Sequence, residues 1–443
     1  MRVQLSDHFN YSRIFRFTLP SIIMMVFSSL YVIVDGLFVS NLVGSNALAS
    51  VNIIMPAASV IGAFGFMLGV GGNAQVAKTL GEGENEKACR YFSLIVVTIL
   101  VLVFSLSALC LIFIEPLCRF LGASEKLMDY CTAYGAVMLA GGTFFMLQVT
   151  FQIFFVTAEK PTLGLIFTVA AGVTNMVFDY IFIAVMKLGI TGAALATVLG
   201  YTVGGVIPFF YFLLPNNSLL RFKKPILDLP MLLRSSANGA SEMVSNLSYS
   251  LVTFLYNYQT MRIAGENGVA AITVILYVNM IFNAIIMGYS FGIAPVIGFH
   301  YGAENHGELQ NLFRRCLKII AAVSLLMVVT AQVTAGPVTD IFCGGNADLE
   351  KMTTSGFRLY ALSFLVCGFN IFGSSFFTAL CNGKISATIS FLRTLVMETG
   401  MLLLLPTLFG LVGVWLAVPI TEAVTFLVVL YFCITQRKKY RYV

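Results

Sequence analysis

The chain has 443 residues, of which 58% are hydrophobic and only 10% charged, with a mean hydropathy of +0.91. A soluble domain carries about 25% charged residues, so the composition excludes a soluble protein and specifies an integral membrane protein. The net charge of +6 sits at the ends of apolar stretches, which points to a membrane face and excludes a nucleic-acid groove.

Residues 1–16 are short and polar and lack a cleavable signal pattern. A membrane-crossing helix needs about 20 mostly apolar residues. Twelve stretches qualify in chain order: 14–40, 48–77, 91–114, 130–157, 163–186, 191–214, 236–262, 269–299, 315–337, 356–380, 385–408 and 412–435. Each half holds six, so both halves enter the membrane from the same side and are parallel repeats. The expected fold is an all-α polytopic membrane protein, with 12 transmembrane helices in two pseudo-symmetric six-helix lobes. The N-terminal lobe is 1–214, the cytoplasmic linker 215–235 and the C-terminal lobe 236–443. The linker is marked by Pro215, Asn216, Asn217, Arg221, Lys223, Lys224, Pro225 and Pro230.

The halves also match residue by residue at one offset of 221 positions. Gly44, Asn46 and Ala49 recur as Gly265, Asn267 and Ala270; Gly71 and Gly81 recur as Gly292 and Gly302. Gly189 and Gly192 recur as Gly410 and Gly413. Duplicated halves are a hallmark of transporters, in which the substrate site lies between the repeats.

Orientation follows from the basic residues. Only Arg119, Lys126, Lys187, Arg262, Lys351 and Arg358 fall on the far side when both termini are placed in the cytoplasm; the other 20 of 26, Arg393 included, fall inside. That asymmetry is a positive-inside signal, and the basic clusters read as topology determinants and lipid headgroup contacts.

The nine cysteines are scattered, with no C-x-x-C pair, and read as small packing residues. His8, His300 and His306 build no metal site. No Walker sequence, H-E-x-x-H or G-x-S-x-G is present, so ATP hydrolysis and intramembrane enzyme chemistry are not expected. The energy source is then an ion gradient.

Five acids lie inside the predicted spans: Asp35, Asp179, Glu242, Glu398 and Glu422. An ionised carboxylate in hydrocarbon is expensive, so such groups usually face a cavity and act there. The bland alternative is an acid that only holds helices together. Tyr31 lies one turn before Asp35 on the same face and can offer it a hydroxyl. Pro20, earlier in that span, removes one ladder hydrogen bond and bends the helix, either as a movable element or as a static kink. Asn175 and Asp179 share a helix face, and Thr197 follows the Gly189–Gly192 turn. Two carboxylates, an amide and a hydroxyl suit a hard cation such as Na+; the same group can instead share a proton, since buried carboxyls load and unload protons near neutral pH. The second half adds Tyr256 and other tyrosines among many Phe and Met, surfaces suited to flat lipophilic cations.

On these residues the chain resembles the multidrug and toxic compound extrusion (MATE) transporters over about residues 10–436. The resemblance is carried by Leu19-Pro20, Asp35-Gly36, the run Gly44 to Ala49, Gly81-Glu82-Gly83, Asn175 to Asp179 and Gly189 to Ala194. Within the family it looks most like the DinF and MepA type. The resemblance implies two lobes around a central cavity and export of drugs and organic cations against H+ or Na+. It places a coupling-ion site on Tyr31, Asp35, Asn175, Asp179 and Thr197, with Pro20 as the kinking proline. Sodium-coupled members of the NorM type use second-lobe acids that here align with Ser245, one turn from Glu242, and with Asn370.

The expected activity is secondary active multidrug export by alternating access, with no cofactor beyond a bound Na+ as one candidate. Expected partners are small cationic or lipophilic substrates, H+ or Na+, and membrane lipids. The expected form is a monomer in the cytoplasmic membrane. A lipid-linked precursor flippase of the same superfamily is the alternative, and a channel or receptor stands further off; a channel should show polar pore rings. The cavity-level charges read as acidic, which favours cations over a pyrophosphate. The second-lobe cavity is expected to draw on Glu242, Asn370, Glu398, Glu422 and Tyr256.

Overall fold

The computed structural model describes residues 3–343 and 346–443, apart from the side chains at 37, 40, 41, 45, 46 and 48. Arg2, one of the 20 basic residues placed inside, and the side chain of Asn46 therefore lie outside the described residues. Every regular element among the described residues is helical. The first half contains α1 (Tyr11–Phe38), α2 (Ser45–Gly81), α3 (Asn85–Ile112), α4 (Glu125–Thr157), α5 (Pro161–Val185) and α6 (Gly189–Leu213). Next comes one helical stretch of 74 residues, Leu229–Gly302. At 1.5 Å per residue it would run about 110 Å, far beyond a bilayer of about 30 Å. Gly265 breaks it with φ 62° and ψ −150°, so it is two spans, α7 (229–264) and α8 (266–302). The chain ends with α9 (His306–Cys343), α10 (Ala347–Ala379), α11 (Gly383–Phe409) and α12 (Leu411–Tyr440). The twelve spans are thus present, as eleven continuous helices of which one is broken.

The 221-residue repeat has a physical cause. Gly44 and Gly265 both take positive φ (111° and 62°), as do Gly189 and Gly410 (60° and 56°). Only glycine enters that region without a Cβ penalty, so each half needs it at the same two turns. A second set of matched glycines closes the seam between lobes. A Cβ on Gly81 would fall 1.9 Å from the Phe299 carbonyl oxygen, and one on Gly302 would fall 2.0 Å from that of Lys78. Gly71 meets Ser235 and Gly239 of α7 in the same way, while its counterpart Gly292 meets Thr18 of α1. These backbone approaches all lie on the halves of α1, α2, α7 and α8 nearest the chain termini.

A short segment fastens the same end. Leu5 N–H donates to Glu159 Oε1 of the first lobe at 2.6 Å, and Phe9 N–H donates to Glu308 Oε1 of the second at 2.8 Å. His8 Nδ1 lies 2.6 Å from Glu308 Oε2. Leu5 and Phe9 are fully buried, so residues 3–10 are tied to both lobes.

The linker is shorter and more ordered than the polar composition suggests. α7 begins at Leu229, inside the stretch read as linker, because the Asp228 carboxylate accepts from Met231 N–H and caps it. Phe222 stacks on Phe92 at 5.0 Å, and Lys223 N–H donates to Ser93 Oγ. The segment is docked on the first lobe.

The close seam predicts an asymmetric response to side chains. Gly81→Leu is expected to lower stability by about 3 kcal/mol through overpacking against backbone. Gly36→Ala, where nothing lies within 4 Å of the added Cβ, is expected to be neutral. Thermal midpoints in detergent, followed by recovery of the monodisperse peak, separate the two.

Candidate functional site

Two polar clusters lie inside the bundle, one in each lobe. The first joins α1, α5 and α6. Gly172 of α5 lets α1 approach, since a Cβ there would fall 2.5 Å from Phe27 and 3.1 Å from Tyr31. Gly200 of α6 does the same toward Asn175 and the Ala171 carbonyl. These contacts bring Asp35, Asn175, Asp179 and Thr197 together. Asp179 is fully buried, and Asn175 and Thr197 are nearly so. Asn175 Nδ2 donates to Thr197 Oγ1 at 3.4 Å, and Thr197 Oγ1 donates back to the Ala193 carbonyl at 3.0 Å. The Asp35 carboxyl faces Asp179 and Asn175. Among the described residues, no donor reaches Asp35 Oδ1, Asn175 Oδ1 or either oxygen of Asp179.

The expected hydrogen bond from Tyr31 to Asp35 does not form among the described residues; the Tyr31 hydroxyl lies beside Gln148 of α4. A helical side chain leans toward the N-terminus of its own helix, so a long tyrosine points away from the residue four places on. Tyr134 and Tyr201, which sequence reasoning passed over, complete the surroundings of Asp35. The helical backbone runs through Pro20 without interruption. The residues beside Pro20 are clamped, because Gly288 and Gly292 of α8 touch Ile22, Ser21 and Thr18.

The second cluster lines a cavity of about 440 Å³ in the second lobe. Glu242 and Tyr256 of α7, Glu398 of α11 and Glu422 of α12 face it, with Met25 and Ser29 of α1 closing one side. Asn370 stands behind the wall. Its Nδ2 donates to Glu422 Oε2 at 2.6 Å and to the Glu422 carbonyl at 2.9 Å. The Tyr256 hydroxyl is buried and meets no partner among the described residues. Ser245, at the position aligned with a second-lobe acid of sodium-coupled transporters, lines the same cavity and donates to the Ser241 carbonyl.

Arg393 corrects the sequence reading. The positive-inside count places it with the basic residues of the cytoplasmic side, but it lines this cavity. Its Nε and one Nη donate to Glu422 Oε1 at 2.8 and 2.6 Å. The signal was available: Arg393 falls within the predicted span 385–408, five residues before Glu398. A charge so far inside a span is a candidate functional group. For Glu422 the bland alternative therefore has substance, since its carboxylate joins α10, α11 and α12. Glu242 and Glu398 carry no such partner among the described residues.

Both clusters adjoin wide helical turns with i→i+5 hydrogen bonding. These are Val39–Val43 just past Asp35, Tyr180–Val185 just past Asp179, and Phe391–Glu398, which carries Arg393 and Glu398. Such turns are rare and concentrate at functional sites, where the extra residue re-aims side chains.

The MatE family model matches the chain twice, over residues 20–181 and 243–403. The chain belongs to the MatE family. The two matches are the two lobes, one model fitted to each copy of the repeat. MatE proteins are transporters, so the chain is a multi-pass membrane transporter and not an enzyme. It is similar to the multidrug export protein MepA of Staphylococcus haemolyticus, 23% identical over 448 residues, covering 98% of this chain and 96% of that one. MepA of Staphylococcus saprophyticus subsp. saprophyticus is 24% identical, covering 94% and 93%. Among solved structures, a multidrug resistance MATE family transporter of the MOP superfamily in an outward-facing conformation has a TM-score of 0.91 at 25% identity, with 97% of this chain and 96% of that one covered. A crystal structure of MATE in complex with MaL6 has a TM-score of 0.92 at 24% identity, covering 97% of each. In this MatE chain the backbone approaches between lobes gather at the end nearest the chain termini.

Proposed function

We propose that this chain exports cationic and lipophilic small molecules by alternating access of its two lobes, in exchange for H+ or Na+. Both termini lie in the cytoplasm, and the working form is a monomer. The observation that supports the reading is the first-lobe pair: the Asp35 carboxyl faces Asp179, and Asp35 Oδ1 and both oxygens of the fully buried Asp179 meet no donor among the described residues. Two such carboxylates need a proton or a cation. Asn175 Oδ1 and the Thr197 hydroxyl supply further oxygens of the kind Na+ accepts, and either ion arrives from the gradient as cargo. Loading removes charge from the seam between α1 and α5 and changes which lobe arrangement is favoured; a ligand shifts such an equilibrium only by its differential affinity for the two states.

The second-lobe cavity is the substrate site in this scheme. Glu422 is neutralised by Arg393, which leaves Glu242 and Glu398 to attract an organic cation, with Tyr256 beside them. A flippase for an anionic pyrophosphate calls for the opposite balance, since the single guanidinium here is already engaged.

The test is dye efflux from proteoliposomes with an imposed ΔpH or ΔNa+, against a panel of cationic dyes. Gradient-driven dye movement under one of the two is expected. Dye movement under neither overturns the proposal, and ion flux without dye movement favours a channel.

A further inference from the structure

An apolar slot of about 250 Å³ opens on the outer surface along the seam between lobes. Phe15 and Ile22 of α1 form one wall, Ile286 and Tyr289 of α8 the floor, and Ile319 and Ile320 of α9 the other wall. From Tyr11 to Ile22 it follows α1 for eleven residues, about 16 Å. That is about half of the roughly 30 Å hydrocarbon core, the depth of one leaflet. At the end nearest the chain termini sits Arg315, its guanidinium 4.7 Å over the Tyr11 ring. Arg315 Nε donates to Asn311 Oδ1, which leaves the two terminal NH2 groups of the fork for another acceptor. Lys318, on the next turn of α9, is exposed.

We propose that this slot is a specific site for one anionic phospholipid of the leaflet facing the termini. One acyl chain lies in the slot and the phosphate rests on Arg315. The dimensions and charge fit together: an apolar trough one leaflet deep, with a cation at its headgroup end. A zwitterionic lipid fills the trough equally well but is repelled at the mouth by its own ammonium. The location gives the lipid a consequence. α1 belongs to the first lobe and α8 and α9 to the second, and behind the slot a Cβ on Gly288 would fall 2.6 Å from Ile22 Cα. A bound lipid bridges the seam and stabilises the arrangement in which α1 packs on α8.

The test is native mass spectrometry of the full-length protein offered phosphatidylglycerol or phosphatidylcholine, with thermal midpoints in the same lipids. Phosphatidylglycerol is expected to be retained in preference and to raise the midpoint. Arg315→Gln is expected to cut its retention roughly fivefold, the worth of one basic contact at the membrane surface, with phosphatidylcholine unaffected. Ile319→Trp, which fills the slot from a half-exposed position, is expected to reduce retention of both. Arg437→Gln, at the end of α12, is the control and should leave retention unchanged. Equal retention of the two lipids, or a preference that survives Arg315→Gln, overturns the site. So does displacement of the lipid by a cationic dye at the same slot, which would make it a substrate path.

Discussion

Asp35→Asn is expected to abolish gradient-driven export while leaving the protein folded. The expectation rests on the orphaned oxygens of the first-lobe cluster. Asp35 and Asp179 face one another, and Asp35 Oδ1 and both Asp179 oxygens meet no donor among the described residues, so the pair has to take up a proton or a cation to sit stably in this lobe. An asparagine at 35 supplies an N–H donor to Asp179 permanently. The lobe is then fixed in the state that ion loading otherwise creates, and no longer reads the gradient. The initial rate of dye export from proteoliposomes should fall roughly 100-fold, the upper range for coupling between two sites. The thermal midpoint should hold or rise, because the new donor replaces an unmet interaction worth about 1 kcal/mol. Wild-type export rates in Asp35→Asn would remove the first lobe from the coupling mechanism. Loss of both export and the folded state would show instead that the pair is structural.

The second large effect is on stability. Arg393→Leu removes a guanidinium that holds Glu422 by two hydrogen bonds and leaves that buried carboxylate with Asn370 alone. Breaking one side of a buried pair typically costs 3–5 kcal/mol, whereas replacing both partners by apolar groups is often neutral. Arg393→Leu is therefore expected to lower stability by roughly 3 kcal/mol, and Arg393→Leu/Glu422→Leu to recover most of it. The double-mutant cycle isolates the coupling. Thermal midpoints in one detergent give all four corners. A midpoint for Arg393→Leu equal to wild type would mean that water in the cavity already screens Glu422, and that the pair holds nothing together. A fall in Arg393→Leu that the double variant fails to recover would assign the loss to packing of the arginine stem.

How much of this was legible before folding differs between the two clusters. In the first lobe, Asn175 and Asp179 are four apart on one helix face, and Asp35 is a lone acid in a long apolar run, so their burial followed from the cost of charge in hydrocarbon. The Tyr31 contact was misjudged because spacing alone ignores the tilt of helical side chains toward the N-terminus; Gln148, its actual neighbour, is on a different helix. In the second lobe, three glutamates were visible one at a time. Nothing local said that Glu422 of α12 and Arg393 of α11 would meet, nor that Asn370 of α10 would share the same carboxylate. The positive-inside count places Arg393 on the cytoplasmic side, although it falls within the span 385–408.

The sequence by itself determined that the chain spans a membrane, that it crosses twelve times and that it is built of two copies. Hydropathy sets the first two. The third is read from residues that recur at the 221-residue offset, and its physical reason is that glycine takes the positive φ of Gly44, Gly189, Gly265 and Gly410 without a Cβ penalty. Tertiary structure alone decided which acids pair and which stay open. That choice depends on distances between helices far apart in the chain, and on contacts as short as those of Gly172 and Gly200, where the absence of a side chain on one helix admits Phe27 and Tyr31 of α1 in the first case and Asn175 of α5 in the second.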